Sequence, residues 1–451
     1  MTQQGVRWTA DQVLALAPDA ASREAGSRLG VAAPWSAAGS SGDGVVWGLC
    51  EGSGGRPYRT VVDVVGVSGP AYECGCPSHE FPCKHAIGLL LLWAGGGDAV
   101  PVAEAPDWVE RWIAGRRGRV AGKRTASSAG VTAGPGDQRA ARRRAEQRAE
   151  RVTAGATELE QRLADLLRGG LAGAEQSGYE LWEETAARMV DAQASGLASR
   201  VRDLGGIPSS GAGWPVRLLE ECALLHLLDQ GWLRRDRLPD DLAATVRSRV
   251  GLSASADGPA VRDRWLVLAQ HDTADGRLTT RRIWLYGADT ARTALLLSYG
   301  AAGRAPELAL PVGSAFEAEV SAYPGAGRQR VALGERFTPP APADIRPEGV
   351  TTSRAAVRYG EALRADPWLD AVPVTLARVV PVPDGDHWQL ADAEGDTALP
   401  LSAPAGSRPG LWRLVALSGG APVRVFGEFG HRGFTPLTAW PAGPGPAVPL
   451  Y

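Results

Sequence analysis

Lysine is almost missing from this chain: only Lys84 and Lys123 occur, against an abundance of arginine. With so much alanine and glycine, that imbalance has the look of codon bias in a GC-rich genome, which makes any one arginine cluster a weak observation by itself. Long apolar runs are absent too. The longest, Ala86 to Ala94, is far short of the roughly 20 residues a membrane-spanning helix needs. Met1 to Trp8 has no basic segment followed by an apolar run, so no secretory leader is expected. Cysteine is sparse and odd in number: Cys50, Cys74, Cys76, Cys83 and Cys222 do not make a disulfide framework. A surplus of one charge is lacking as well. The formal net charge of −2 excludes a uniformly basic coat, so any polyanion site must be local. These absences describe a chain expected in the cytoplasm, with no membrane partner.

What is present is folded matter. A length of 451 residues exceeds one compact core, and two to four domains are expected. Thr9, with Gln12 three residues on, reads as a capping box opening a short helix through Leu14 and Leu16. Strands are predicted over Val45–Cys50, Tyr58–Val67 and Tyr72–Cys74, then a helix from Cys83 that ends at Gly95-Gly96-Gly97, with Ile87, Leu90, Leu91 and Ala94 inward. Trp108 and Trp112 lie on a second short helix.

Residues 116–136 have no apolar period and read as a linker. A helix is predicted from about Thr157, with a stripe of Leu159, Leu163, Leu166 and Leu167, followed by Leu181–Leu204 and Val216–Leu228. Beyond residue 252 the pattern alternates like strands around an Asp275-Gly276 turn. Further strands are expected at Phe316–Tyr323, Arg328–Leu333, Val372–Val382, Trp388–Ala391, Leu411–Leu417 and Pro422–Phe429, and one helix at Thr352–Leu363. No repeat recurs at a fixed period. The expectation is a multidomain α+β protein. Its parts are a small metal-stabilised hairpin–helix domain (1–115), a basic linker and start of a helix (116–151), a helical middle (152–252) and a mostly β region of unknown type (253–451).

Three of the cysteines and one histidine, Cys74, Cys76, Cys83 and His85, fall within twelve positions as C-x-C-x6-C-x-H. Zinc in a structural site takes four N or S ligands at tetrahedral corners. Gly75 and Pro77 favour the sharp turn that lets the first pair share an ion, and six residues suffice to loop back to the second pair. At a helix start, backbone N–H groups and the helix dipole stabilise a thiolate. A Cys74–Cys76 disulfide would need an oxidising compartment, and an iron–sulfur cluster prefers thiolates throughout. His79 could compete with His85 as a ligand, and Glu80 could be imagined as a general base, although four protein ligands leave a catalytic zinc no open corner.

The spacing and its surroundings, from Trp47 through Cys50 and Tyr58 to Trp93 and including Pro82-Cys83-Lys84-His85-Ala86, resemble bacterial SWIM zinc finger proteins. The resemblance covers about the first quarter of the chain. It implies Zn2+ as the cofactor, held by Cys74, Cys76, Cys83 and His85, and it implies a binding role toward DNA or protein. His85 rather than His79 is the ligand by the family pattern.

Evidence of nucleic-acid contact lies in the basic segment: Arg116, Arg117, Arg119, Lys123 and Arg124, then Arg139, Arg142, Arg143, Arg144, Arg148 and Arg151. Such a run could contact several phosphates and make affinity salt-dependent. A solvated linker and exposed helix in an arginine-rich chain is the alternative reading. No aromatic falls between Ile113 and Tyr179, so base stacking by this segment is not expected.

Enzyme signatures are missing. Gly122-Lys123 fails the phosphate-loop pattern at both ends, and neither G-x-S-x-G nor H-E-x-x-H occurs. Cys222 and His226, a helical turn apart among leucines, could be a nucleophile and base but read more simply as packing. His271, His387 and His431 are isolated at turns. The chain is therefore expected to be a non-catalytic protein-interaction or nucleic-acid-associated accessory factor, with a protein partner expected and DNA as the alternative ligand. An unrecognised enzyme in the C-terminal region is the remaining reading.

Overall fold

The computed structural model describes the chain except residues 1–7, 15, 18–19, 43, 53–55, 65–69, 79–81, 97, 117–134, 172–173, 175–177, 275–277, 302–305, 307, 328 and 403–407. The expected Asp275-Gly276 turn, His79 and Glu80 fall outside the described residues.

In the N-terminal unit the capping box forms. The Thr9 N–H donates to Gln12 Oε1 at 2.9 Å and the Gln12 N–H to Thr9 Oγ1 at 3.3 Å, starting α1 (Ala10–Leu14). Next come α2 (Ala20–Arg28) and β1 (Trp35–Ser40), which the sequence pattern did not signal. β1 opens an antiparallel sheet in the order β1-β2-β3-β4, with β2 at Val45–Cys50, β3 at Tyr58–Asp63 and β4 at Ala71–Cys74. Helix α3 (Lys84–Ala94) is buried on nearly every side, against Val13, Leu16, Val46 and Val62. α2 approaches α3 closely because Gly88 has no side chain: a Cβ there would sit 2.5 Å from Leu29 Cβ. Helix α4 spans 107–116 and lays Val109 against Trp47 and Val61.

The middle is a helical bundle. α5 (Pro135–Gly169) is one 35-residue helix, so it begins long before Thr157, because the arginine- and alanine-rich stretch ahead of the leucine stripe consists of strong helix formers. The predicted Leu181–Leu204 helix is two, α6 (Gly178–Asp191) and α7 (Ser195–Gly205), broken where Gln193 turns left-handed at φ 61°. α8 (Trp214–Leu233) and α9 (Asp240–Arg249) complete the unit around Val152, Leu159, Met189, Leu197, Leu225 and Trp232.

Two β units follow. β5 (Ala260–Ala274), β6 (Leu278–Gly287), β7 (Thr293–Ala301), β8 (Ser314–Ala322) and β9 (Arg330–Arg336) form a barrel, with the short β10 (Ala341–Pro342) beside β8. The sheet order is β8-β5-β6-β7-β9, and β9 pairs back onto β8. α10 (Thr352–Ala365) leads to the second β unit: β11 (Ala371–Asp384), β12 (His387–Asp392), β13 (Ala398–Pro400), α11 (Arg408–Ser418), β14 (Val423–Gly430), β15 (Gly433–Trp440) and β16 (Val448–Pro449). Residues 411–417, expected as a strand, lie in α11. Leu414 and Ser418 are buried while Trp412 and Arg413 are exposed, a helical period that seven residues could not distinguish from alternation. Outward-facing Leu266, Leu268, Trp284 and Leu295 of the first barrel pack on Phe426, Leu437 and Trp440 of the second. Among the described residues no helix is long and apolar enough to cross a membrane.

Candidate metal centre

The β3–β4 pairing sets Thr60 opposite Cys74, at the end of the hairpin, and the Gly75 N–H donates to Arg59 O at 3.0 Å as the chain turns away. Cys83 is the N-cap of α3, and His85 lies in that helix's first turn. Hairpin end and helix start thus meet, and they bring Cys74, Cys76, Cys83 and His85 together with their ligand atoms all within 4.8 Å of one another. His85 Nδ1 lies 3.7 Å from Cys74 Sγ and 4.0 Å from Cys83 Sγ. A tetrahedron built on metal–sulfur bonds of about 2.3 Å has edges of about 3.8 Å, so these separations are those of four donors around one ion.

Electrostatics favours a single thiolate here, on Cys74. Each sulfur accepts a main-chain N–H: Cys74 from Cys76, Cys76 from Ser78, and Cys83 from Ala86 at the helix start. Cys74 is held down to about 4, first by the hydrogen bond from Cys83 and then, against the cost of burial, by those from His85 and Thr60. Cys83 is pushed up because it shares its proton with Cys74 and is buried. Burial also raises Cys76. Without a cation, three thiols compete around one negative charge; a divalent ion would accept all three as thiolates. Cys50 stays apart, its thiol raised to about 11 by burial and then by the charge of Cys74. The donor set, three sulfurs and one imidazole with no vacant corner, fits structural zinc.

Two supporting residues were assigned no role from the sequence. Thr60 is wholly buried, with Oγ1 3.2 Å from Cys74 Sγ, and the Tyr58 ring lies 5.1 Å from that of His85. Beyond its place at a strand start, Tyr58 entered the sequence reading only through the family resemblance, and the only signal for Thr60 was strand register, which one sequence does not specify.

The expected nucleic-acid residues are dispersed. Arg116, at the end of α4, is folded back onto Asp63 at 3.5 Å and is not offered to a partner. Arg117, Arg119, Lys123 and Arg124 lie outside the described residues. Arg142, Arg143 and Arg144 are exposed on α5, as is Arg139. Arg148 donates instead to Gly251 O and Arg151 to Gln193 Oε1, bracing the bundle. Cys222 is buried in the bundle core, whereas His226 is turned outward to Glu160 at 2.8 Å, so the two do not form a reactive pair.

The cluster and its hairpin–helix setting are those of a zinc-finger module. Comparison with known families specifies it further: residues 60–94 match the SWIM zinc finger, and residues 147–250 match the SWIM-associated four-helix bundle domain. The chain carries both. No curated protein and no solved structure matches it.

Proposed function

We propose that this protein is a non-catalytic, nucleic-acid-associated accessory factor of the cytoplasm, in which a structural zinc ion on Cys74, Cys76, Cys83 and His85 welds the hairpin to α3. Four protein ligands leave no position for a bound water, which argues against zinc catalysis. Ligand cysteines that are all free suit a reducing compartment.

The observation carrying the reading is the first third of α5. From Arg139 to Gln147 every described side chain is exposed, while the bundle core begins only at Val152. This arm presents Arg139, Arg142, Arg143 and Arg144, of which Arg142 also meets Glu146 at 2.9 Å. It carries no aromatic or branched apolar anchor of the kind a protein interface needs, so phosphates are its natural ligand. Duplex DNA binding by the full chain that is lost when the four arginines become alanine tests it.

A protein partner is the second reading, favoured by a different surface. Val216, Leu219, Ala223 and Leu227 make an exposed apolar stripe along α8, opposite the face buried in the bundle. Stoichiometric capture of a partner at high salt, abolished by Leu219→Glu, would support it.

A further inference from the structure

The two C-terminal barrels share one connectivity. In the first, strands β5 to β9 pair in the order one-two-three-five-four and close back on one, the third and fifth running parallel. In the second, β11 to β15 repeat that order: β11 pairs β12 and β14, β12 pairs β13, and β14 pairs β15. The closing parallel contact is there a bridge between Leu401 and Phe434. Each first strand is long and changes partner near a bulge, at Val267/Ala269 and at Leu376/Val379. This is the connectivity of the OB-fold, which takes oligonucleotides or oligosaccharides on the outer face of its second and third strands and on its four-five loop. A fold does not assign a ligand; surfaces do.

The second barrel presents a poor face for a polyanion. Its β12 offers His387 and Gln389, flanked by Asp384, Asp386, Glu394 and Asp396. In the first barrel most of the face is used by the second: the Trp284 indole N–H and Arg282 both donate to Glu428, and Leu295 is covered. What remains open is the far part of β7 and residues 323–327 and 329 of the loop that follows β8. By strand alternation Leu297 and Tyr299 share the outer face with Leu295, and Tyr299 is 49 % exposed. Beside them opens a cavity of about 350 Å³, lined by Leu297, Tyr323 and Arg330 of the barrel, by Ser248 and Arg249 of α9, and by Asp366, which pairs with Arg249 and leaves Arg330 as the cation for a phosphate. Its loop is pinned by the Ala326 N–H donating to Thr245 Oγ1 at 2.8 Å, and the Arg330 guanidinium lies 4.5 Å from the Tyr323 ring centroid.

We propose that this cleft binds single-stranded nucleic acid, one base against Tyr323 in the cavity, the next on Tyr299, and the backbone facing Arg330. The cavity is at the small end of ligand pockets of about 300–1,000 Å³, which suits a splayed-out nucleotide and not a duplex. The Tyr323 ring in the cavity and the exposed Tyr299 ring, two residues beyond Leu297 on the same face of β7, supply stacking, and the Arg330 guanidinium supplies charge. The proposal extends the nucleic-acid reading to a surface separate from the α5 arm, and the two fail independently.

The test is fluorescence anisotropy of the full chain with labelled oligo(dT), oligo(rU) and a duplex of equal length. Single-strand binding that persists without the α5 arginines and depends on Tyr299 supports the proposal, and the tighter of the two strands identifies DNA or RNA as the source. Tyr323→Ala and Tyr299→Ala should each weaken single-strand binding by about tenfold and leave duplex binding unchanged. Alanine in place of Arg139, Arg142, Arg143 and Arg144 should lower duplex binding and preserve the tyrosine-dependent single-strand binding. Tyr299→Ala, on an exposed side chain, and Arg330→Gln, at the rim, serve where Tyr323→Ala disturbs the barrel. Unchanged single-strand affinity in Tyr299→Ala and Arg330→Gln, or no binding to either oligonucleotide at low salt, overturns the proposal.

Discussion

If the free arm of α5 contacts phosphates, the salt dependence of binding can be worked out from helix geometry. At 100° per residue, Arg139, Arg142 and Arg143 project within an arc of about 100°, while Arg144 stands about 100° beyond Arg143 on the other side. Three of the four can therefore meet one backbone together. Each phosphate neutralised on duplex DNA contributes a slope of about −0.9 in log K against log salt, so the arm accounts for a slope of about −2.7. Raising salt from 50 to 200 mM should then cost about 40-fold in affinity through this arm. The assay is a duplex titration at four salt concentrations. Arg144→Ala should change little, whereas the triple variant at Arg139, Arg142 and Arg143 should flatten the slope by two to three. Equal slopes for the wild type and the triple variant would refute the reasoning.

Asp229 offers a test of the bundle. Its carboxylate is fully buried with neither oxygen hydrogen-bonded, and burial, then the charge of Glu160, raises it from 3.8 to about 9. The folded state thus holds a proton that the unfolded chain releases above about pH 4. Stability is highest below that value and falls as pH rises toward 9, costing about 4 kcal/mol by pH 7. Asp229→Asn should raise the melting temperature at pH 8 and flatten its fall between pH 5 and 9; an unaltered profile would contradict this. Gly88→Ala should destabilise the N-terminal unit by about 1–3 kcal/mol, since its methyl would press on Leu29, whereas Gly115→Ala, with nothing within 4 Å, should be neutral or better in thermal melts. Glu428→Ala should cost about 1–3 kcal/mol by leaving Arg282 and the Trp284 indole unpaired, and should expose the joint between the barrels to protease.

The metal centre was legible because its ligands are local: twelve positions contain every donor, and the sulfur–imidazole chemistry selects the ion class. Helix α3 was legible for the same reason, since its apolar run and terminal glycines are contiguous. Thr60 was not, because its place beside Cys74 comes from the register of β3 on β4. The barrels were invisible for a related reason. Their identity lies in which distant strands close the ring, β9 onto β8 and Leu401 onto Phe434, and no residue period records that pairing. Arginine count misled in one place: Arg116, Arg148 and Arg151 looked like Arg142 in the sequence, but each is spent on the protein's own acids and carbonyls.

Metal content measured by mass spectrometry on the purified full chain, beside Cys83→Ser and a chelator-treated sample, bears most directly on the whole picture. One zinc ion per chain is expected, absent from the variant, with the N-terminal unit melting in both metal-free samples. Full zinc retention by Cys83→Ser, or an N-terminal unit that stays folded with no metal at all, would contradict it.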